Sequence, residues 1–170
     1  MLLTKIARSG IIVAIATVAF ATVWRLKMPA VMKKINNITR CQDIYRARML
    51  DEGLSSRQYS VLLLVSRKPG LSQEFIAREL CFDKSGASRV LSALEERGYV
   101  TREQNLQNKR EFIINPTDRA MKIVPQIREV TKAWNDFITE GIAEDELEIF
   151  RSVMSRLEAR ARILAKGERE

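Results

Sequence analysis

Ser85, Ser88 and Ser92 recur three and four residues apart, with Arg89 between the last two, so on a helix they share one face and Lys84 stands beside them. Ala87, Val90, Leu91 and Leu94 fall on the opposite side and give such a helix a surface to pack. Short hydroxyls let a helix approach a polyanion closely and bond phosphates or base edges, and arginine can bridge O6 and N7 of guanine. An ordinary solvated face would more often show Glu and Lys four residues apart. A second polar cluster, Asn105, Gln107, Asn108, Lys109 and Arg110, lies between two β-like stretches, Tyr99 to Glu103 and Arg110 to Ile114, and reads as a hairpin tip. Most hairpin tips are plain exposed turns. A basic one next to a groove-reading helix can reach the sugar-phosphate backbone or place an arginine in a minor groove, where the potential is most negative.

Other chemistries are closed by composition. The 170 residues contain no histidine, which excludes His-based triads, histidine metal sites and imidazole proton relays. The two cysteines, Cys41 and Cys81, make neither a disulfide framework nor a four-thiolate zinc site. No catalytic constellation, metal site or cofactor motif emerges, and the expectation is a protein that is not an enzyme. Net charge is +8, from 29 basic and 21 acidic side chains, which nominates an anionic partner such as nucleic acid or a membrane surface. The excess is uneven. Residues 1–50 hold nine basic side chains and one acidic, whereas residues 71–115 hold seven of each. A nucleic-acid contact through the middle of the chain therefore depends on where a few cations stand.

The elements that position these residues read as mostly helical, in keeping with only 7 Gly and 4 Pro. Val31, Ile35, Ile38, Tyr45 and Met49 predict an amphipathic helix over residues 31 to about 50, ended by Asp51-Glu52-Gly53. Ser55 or Ser56 caps a second, largely buried around Val61 to Val65 and stopped by Lys68-Pro69-Gly70. A short third helix carries Leu71, Phe75, Ile76 and Leu80 on one side. After the turn Cys81-Phe82-Asp83, with Cys81 expected in the core and Asp83 as N-cap, a fourth runs to Gly98, where a positive φ is wanted. Ala120, Ile123, Val124, Ile127, Val130, Trp134, Phe137 and Ile138 form one stripe, which Pro125 is expected to kink, and Gly141 ends it. Leu147, Phe150, Met154, Leu157, Ala161 and Leu164 then alternate steps of three and four, the spacing of a seam between helices. Two short helices joined by a tight turn and followed by a hairpin describe a winged helix-turn-helix, so the fold class is mainly α with a small β-hairpin wing.

The chain start reads differently. Ser9 to Trp24 is a run of sixteen uncharged, mostly apolar residues, with Lys5 and Arg8 before it and Arg25 and Lys27 after. It is short of the ~20 residues that span a bilayer. Three readings fit: an anchor, a signal peptide ending near Ala19-Phe20-Ala21, or sequence upstream of a true start at Met28 or Met32.

An ordered set of motifs now stands out: Gly53-Leu54-Ser55 through Gln58; Leu71-Ser72-Gln73 with Ile76-Ala77 and Leu80; Asp83-Lys84-Ser85 to Ser88-Arg89; Leu94-Glu95-Glu96-Arg97-Gly98-Tyr99-Val100 with Arg102; and Asn108-Lys109-Arg110. From about Met32 to about Lys166 the sequence resembles the multiple-antibiotic-resistance regulator (MarR) family. The resemblance implies a homodimer that binds a pseudo-palindromic operator in double-stranded DNA, a cytoplasmic transcription regulator and commonly a repressor. It implies that the helix 84–97 reads the major groove through Lys84, Ser85, Ser88 and Arg89, and that the wing 104–110 reads the minor groove through Lys109 and Arg110. It also implies a helical dimerisation domain from both chain ends, to which Ile123, Ile127, Trp134, Leu147, Phe150, Met154, Leu157 and Leu164 are assigned, and a small-molecule effector as a typical further partner. The chain then divides into the apolar segment 1–31, a dimerisation helix 32–54, the winged helix-turn-helix 55–115, C-terminal dimerisation helices 116–166 and a tail 167–170.

Two departures matter. Asn108 stands where the family wing has an aspartate, so it cannot form the ion pair that orients Arg110. Pro116-Thr117 with Ala120 replaces Leu-Thr and a later Gly, which is expected to alter the start of the long helix rather than abolish it. Two rival readings stay open: a membrane-tethered winged-helix module acting through protein contacts, with residues 9–24 as its anchor, and a thiol-based redox sensor. Cys41 lies in the first helix only seventeen residues before Gln58, nearer than that class of sensor suggests.

Overall fold

The computed structural model describes residues 31–106, 108 and 111–166. The readings placed on residues 1–30, including the apolar run 9–24, and on the tail 167–170 lie outside the described residues. The chain divides into two compact units between Ile44 and Tyr45. The first contributes most of α1, helical over residues 31–49. The second contains α2 (Ser56–Arg67), β1 (Leu71–Ser72), α3 (Gln73–Glu79), α4 (Lys84–Glu96), β2 (Val100–Gln104), β3 (Phe112–Pro116), α5 (Asp118–Thr139) and α6 (Glu144–Lys166).

Local chemistry sets the helix starts. Ser55, not Ser56, caps α2, and the box is reciprocal: the Gln58 N–H donates to the Ser55 hydroxyl at 3.4 Å while the Gln58 side chain accepts from the Ser55 N–H at 2.8 Å. Ser72 caps α3 by accepting from the Phe75 N–H at 3.1 Å. Thr117 caps α5 and also donates to the Gly98 carbonyl at 2.7 Å, so the altered Pro116-Thr117 segment does start the long helix and ties it to the end of α4. Gly98 supplies the expected left-handed turn, with φ 71. α5 runs on through Pro125, which has no N–H to give the Met121 carbonyl.

Three sequence expectations are corrected here. Leu71 is not on the third helix but in a two-residue strand opposite Ile114, which makes the sheet three-stranded and antiparallel in the order β1-β3-β2. The second wing strand begins at Phe112 rather than Arg110. Cys81 is exposed, not core: it takes a left-handed backbone conformation (φ 54), which turns its side chain outward and gives the apolar slot to Phe82, packed against the core. Such a conformation costs an L-residue about 1–2 kcal/mol and is usually left to glycine.

The core joins α2, α3, α4, the sheet and the start of α5. Leu62, Val65, Ile76, Leu91, Leu94, Tyr99 and Ile114 are buried in one cluster with Ala120, Ile123, Val124 and Ile127. Ile123 and Ile127, assigned from sequence to dimerisation, are therefore spent inside the chain's own lobe. A 3.6-residue stripe reports which face is apolar and not what covers it. Further along the same stripe Phe137 is 75% exposed, and on α6 Ile149, Phe150 and Leu164 are 65%, 58% and 73% exposed.

Candidate nucleic-acid interface

α4 presents two faces, as its spacing predicts. Ala87, Leu91 and Leu94 are buried, while Lys84, Ser85 and Arg89 are exposed and Ser88 is half-buried. Arg89 makes no hydrogen bond or ion pair with any described residue, so its guanidinium is available. Ser92 departs from the expected face: its hydroxyl accepts from Arg102 Nη1 at 3.0 Å. Ser85 is exposed but engaged, donating to Asp83 Oδ1 at 2.6 Å. Its proton is spent there, so toward a ligand Ser85 offers acceptor capacity, suited to an exocyclic amine on a base rather than to a phosphate.

The start of α4 is built around Asp83. Its carboxylate accepts from the Ser85 hydroxyl and, at 2.7 Å, from the Gly86 N–H. Those two bonds, the hydroxyl first, hold the Asp83 carboxyl below its ordinary value. Gly86 makes this possible: a Cβ there would lie 2.9 Å from an Asp83 carboxylate oxygen. Sequence reasoning missed it, because a glycine near a helix start reads only as a weak helix former. A carboxyl with a depressed folded pKa contributes fully above its unfolded value, near ~4, and loses that contribution as pH falls through the lower folded one. We therefore expect an NMR titration of the Asp83 carboxyl carbon to show a midpoint below ~4, and the amide protection of Gly86 and Ala87 to persist down to that midpoint. A midpoint at or above ~4 contradicts the cap. Asp83→Ala should lower Tm by a few degrees and weaken DNA binding several-fold.

Arg102 holds α4 against the wing. Its guanidinium donates to Ser92 on α4 and, at 3.0 Å, to the Gln73 side chain on α3, lies 3.7 Å from Glu95, and stacks over the Phe112 ring at 4.9 Å. This role was legible in part, since Arg102 lies two residues after buried Val100 on the same face of β2. At the far end of α4, Arg97 donates to the backbone carbonyls of Glu52 and Gly53. The Tyr99 hydroxyl donates to the Glu52 carboxylate, and Arg119 lies 3.5 Å from that carboxylate and 4.5 Å above the Tyr99 ring. Burial, then the Glu52 carboxylate, push the Tyr99 hydroxyl above its ordinary pKa. These links fix the axis of α4 at its middle and its end.

The wing closes through backbone bonds: the Asn105 N–H donates to the Glu111 carbonyl at 2.9 Å, Glu111 N–H to Asn108 at 2.9 Å, and Asn108 N–H to Asn105 at 3.2 Å. Lys109 and Arg110 lie outside the described residues. Between α3, α4 and β3 a cleft of about 480 Å³ is lined by Gln73, Ala77, Arg78, Lys84, Glu111 and Phe112. Of the side chains assigned to dimerisation, Trp134 is half-buried with its ring 5.6 Å from that of Tyr45, and Leu147, Met154 and Leu157 are half-buried on α6. Among the described residues no group of His, Cys, Asp and Glu is placed to hold a metal, and no helix is long and apolar enough to cross a membrane.

The sequence profile of the MarR family matches residues 54–112, from just before the N-cap of α2 to the first residue of β3. A crystal structure of MarR superposes with a TM-score of 0.69 at 32% identity, covering 81% of this chain and 94% of that one. The chain belongs to the MarR family. Among curated relatives, the HTH-type transcriptional regulator YybA of Bacillus subtilis, itself uncharacterised, is 26% identical over 131 residues, 76% of this chain and 87% of YybA. The fold is also that of a MarR family regulator from Listeria monocytogenes solved with a 26mer DNA, with a TM-score of 0.73, 23% identity and coverage of 82% and 96%. MarR proteins are winged helix-turn-helix transcription regulators, and this chain has that architecture with Asn108 at the wing.

Proposed function

We propose that this MarR-family protein is a homodimeric, sequence-specific DNA-binding repressor. The observation that carries the reading is the exposed guanidinium of Arg89, free of hydrogen bonds and ion pairs to the described residues, on the face of α4 opposite its buried one. Lys84, Ser85, Ser88 and Arg89 then enter the major groove, and Lys109 and Arg110 reach the minor groove from the wing. The large apolar side chains exposed on α5 and α6, Phe137, Phe150 and Leu164 among them, support the second half of the proposal. Apolar area of that kind is stabilised by burial against a second copy at roughly 25 cal/mol per Å². An effector belongs to the same reading: the cleft beside Lys84 has the volume of a small-ligand site, and a molecule seated there would stand against a side chain this reading assigns to DNA.

The test is selection of duplexes from a random library, followed by footprinting and sedimentation. The expected site is pseudo-palindromic with half-sites about one helical turn apart, bound by a particle of twice the chain mass. Because residues 71–115 are electrically neutral, non-specific binding at physiological salt should be weak. A monomer in solution, or a library from which no duplex is enriched, overturns the reading.

A further inference from the structure

Among the described residues, one side chain of α6 hydrogen-bonds to the winged lobe. Arg162, near the end of α6, donates from Nη1 to the Arg78 carbonyl at 3.3 Å and from Nη2 to the Glu79 carbonyl at 3.0 Å. These are carbonyls of the last turn of α3, immediately before the Cys81 turn that leads into α4. The guanidinium is aimed by Glu158, one helical turn earlier, which accepts from Nε at 3.0 Å and from Nη2 at 2.7 Å. Among the described residues no other side chain of α6 hydrogen-bonds to the lobe. Close packing does not explain the contact either, because a cavity of about 270 Å³ lined by Ala77, Cys81, Phe82, Arg162 and Ala165 lies beside it. A planar fork that bridges two successive carbonyls fixes direction as well as distance, which a single donor does not. The negative end of the α3 dipole favours a cation at that point.

We propose that Arg162 is a positioning residue for operator recognition. Its fork clamps the helix-turn-helix turn to the C-terminal helix, and so sets where each α4 stands relative to the dimer axis and which half-site spacing the protein accepts. The inference rests on the dimeric DNA-binding reading above. It assigns Arg162 no contact with DNA.

The experiment compares the full chain with Arg162→Ala, Arg162→Lys and Glu158→Gln. The probes are the selected duplex, the same duplex with one base pair added or removed between the half-sites, and an isolated half-site duplex. For Arg162→Ala the expected result is an intact dimer by sedimentation, unchanged half-site affinity, about tenfold loss on the full site, and a spacing penalty that shrinks toward none. Arg162→Lys should restore part of the penalty, and Glu158→Gln should reduce it in the same direction. An independent arm needs no DNA: amide exchange at Leu80, Cys81 and Phe82 should quicken in Arg162→Ala. A wild-type spacing penalty in a folded Arg162→Ala dimer overturns the proposal, as does equal loss on half-site and full site, loss of the dimer in all three variants, or unchanged exchange. Failure of the wild-type chain to select a two-half-site duplex is a different result. It sinks the repressor reading, while the exchange arm still decides whether the clamp exists.

Discussion

Arg89→Ala is expected to weaken binding to the selected duplex by roughly 5- to 150-fold, equivalent to about 1–3 kcal/mol, without changing the melting temperature by more than about 1 °C. Arg89 is exposed, it stands on the outward face of α4, and no described residue forms a hydrogen bond or ion pair with it, so truncation leaves no partner unsatisfied within the fold. The loss should also be positional. Repeating the selection with the variant should relax the preference at one base pair in each half-site, the position where wild type selects guanine. If the selected sequence is unchanged and affinity falls equally on all duplexes, Arg89 contacts phosphate and the base-reading role passes to Ser85 or Ser88.

Leu91→Ala should have the largest effect on stability. Leu91 is fully buried on the underside of α4, in the cluster with Leu62, Ile76, Leu94 and Ile127. Removing a buried leucine side chain costs about 2–5 kcal/mol through lost transfer energy and the cavity left behind. For a chain of this length that corresponds to a fall in Tm of roughly 5–20 °C. Calorimetry checks the size, and binding at two temperatures checks the cause. Well below the lowered Tm, affinity for DNA should return to near the wild-type value, because Leu91 is buried in the core on the side of α4 away from Arg89. Weak binding that persists at low temperature in a folded variant would show that α4 has shifted, not merely loosened.

The local parts of the fold were legible because their causes are local. Asp83 at the start of α4 and Gly98 at its end each act within a few residues and stand where spacing predicted them, and Ser55, one of two serines the sequence offered, caps α2. What escaped depends on partners far away in sequence. Leu71 lies four residues before Phe75, which reads as one turn of helix, yet its strand exists only because β3 arrives more than forty residues later to pair with it. The Ala120–Ile138 stripe is continuous in sequence, but Ile123 and Ile127 pack inside the lobe while Phe137 is exposed, a division no periodicity encodes. Cys81 looked like core from its type, and the turn geometry overrode that preference. Arg102 and Arg162 are the clearest omissions in the site. Both are cations that act on other residues of the chain, and pooled charge cannot separate such a cation from one that faces DNA.

The division of α5 has a mechanical meaning. Its 22 residues form one helix, about 33 Å long at about 1.5 Å per residue. One end is embedded in the lobe that carries α4, and the other shows Phe137 and Ile138 at its surface. Whatever grips the exposed end holds the long arm of a lever. A tilt of about 6° over that length moves the lobe by roughly 3.4 Å, the rise of one base pair. If the proposed function holds, gearing of this kind would let a substitution or ligand far from α4 change which DNA site fits, with every residue of α4 left as it is.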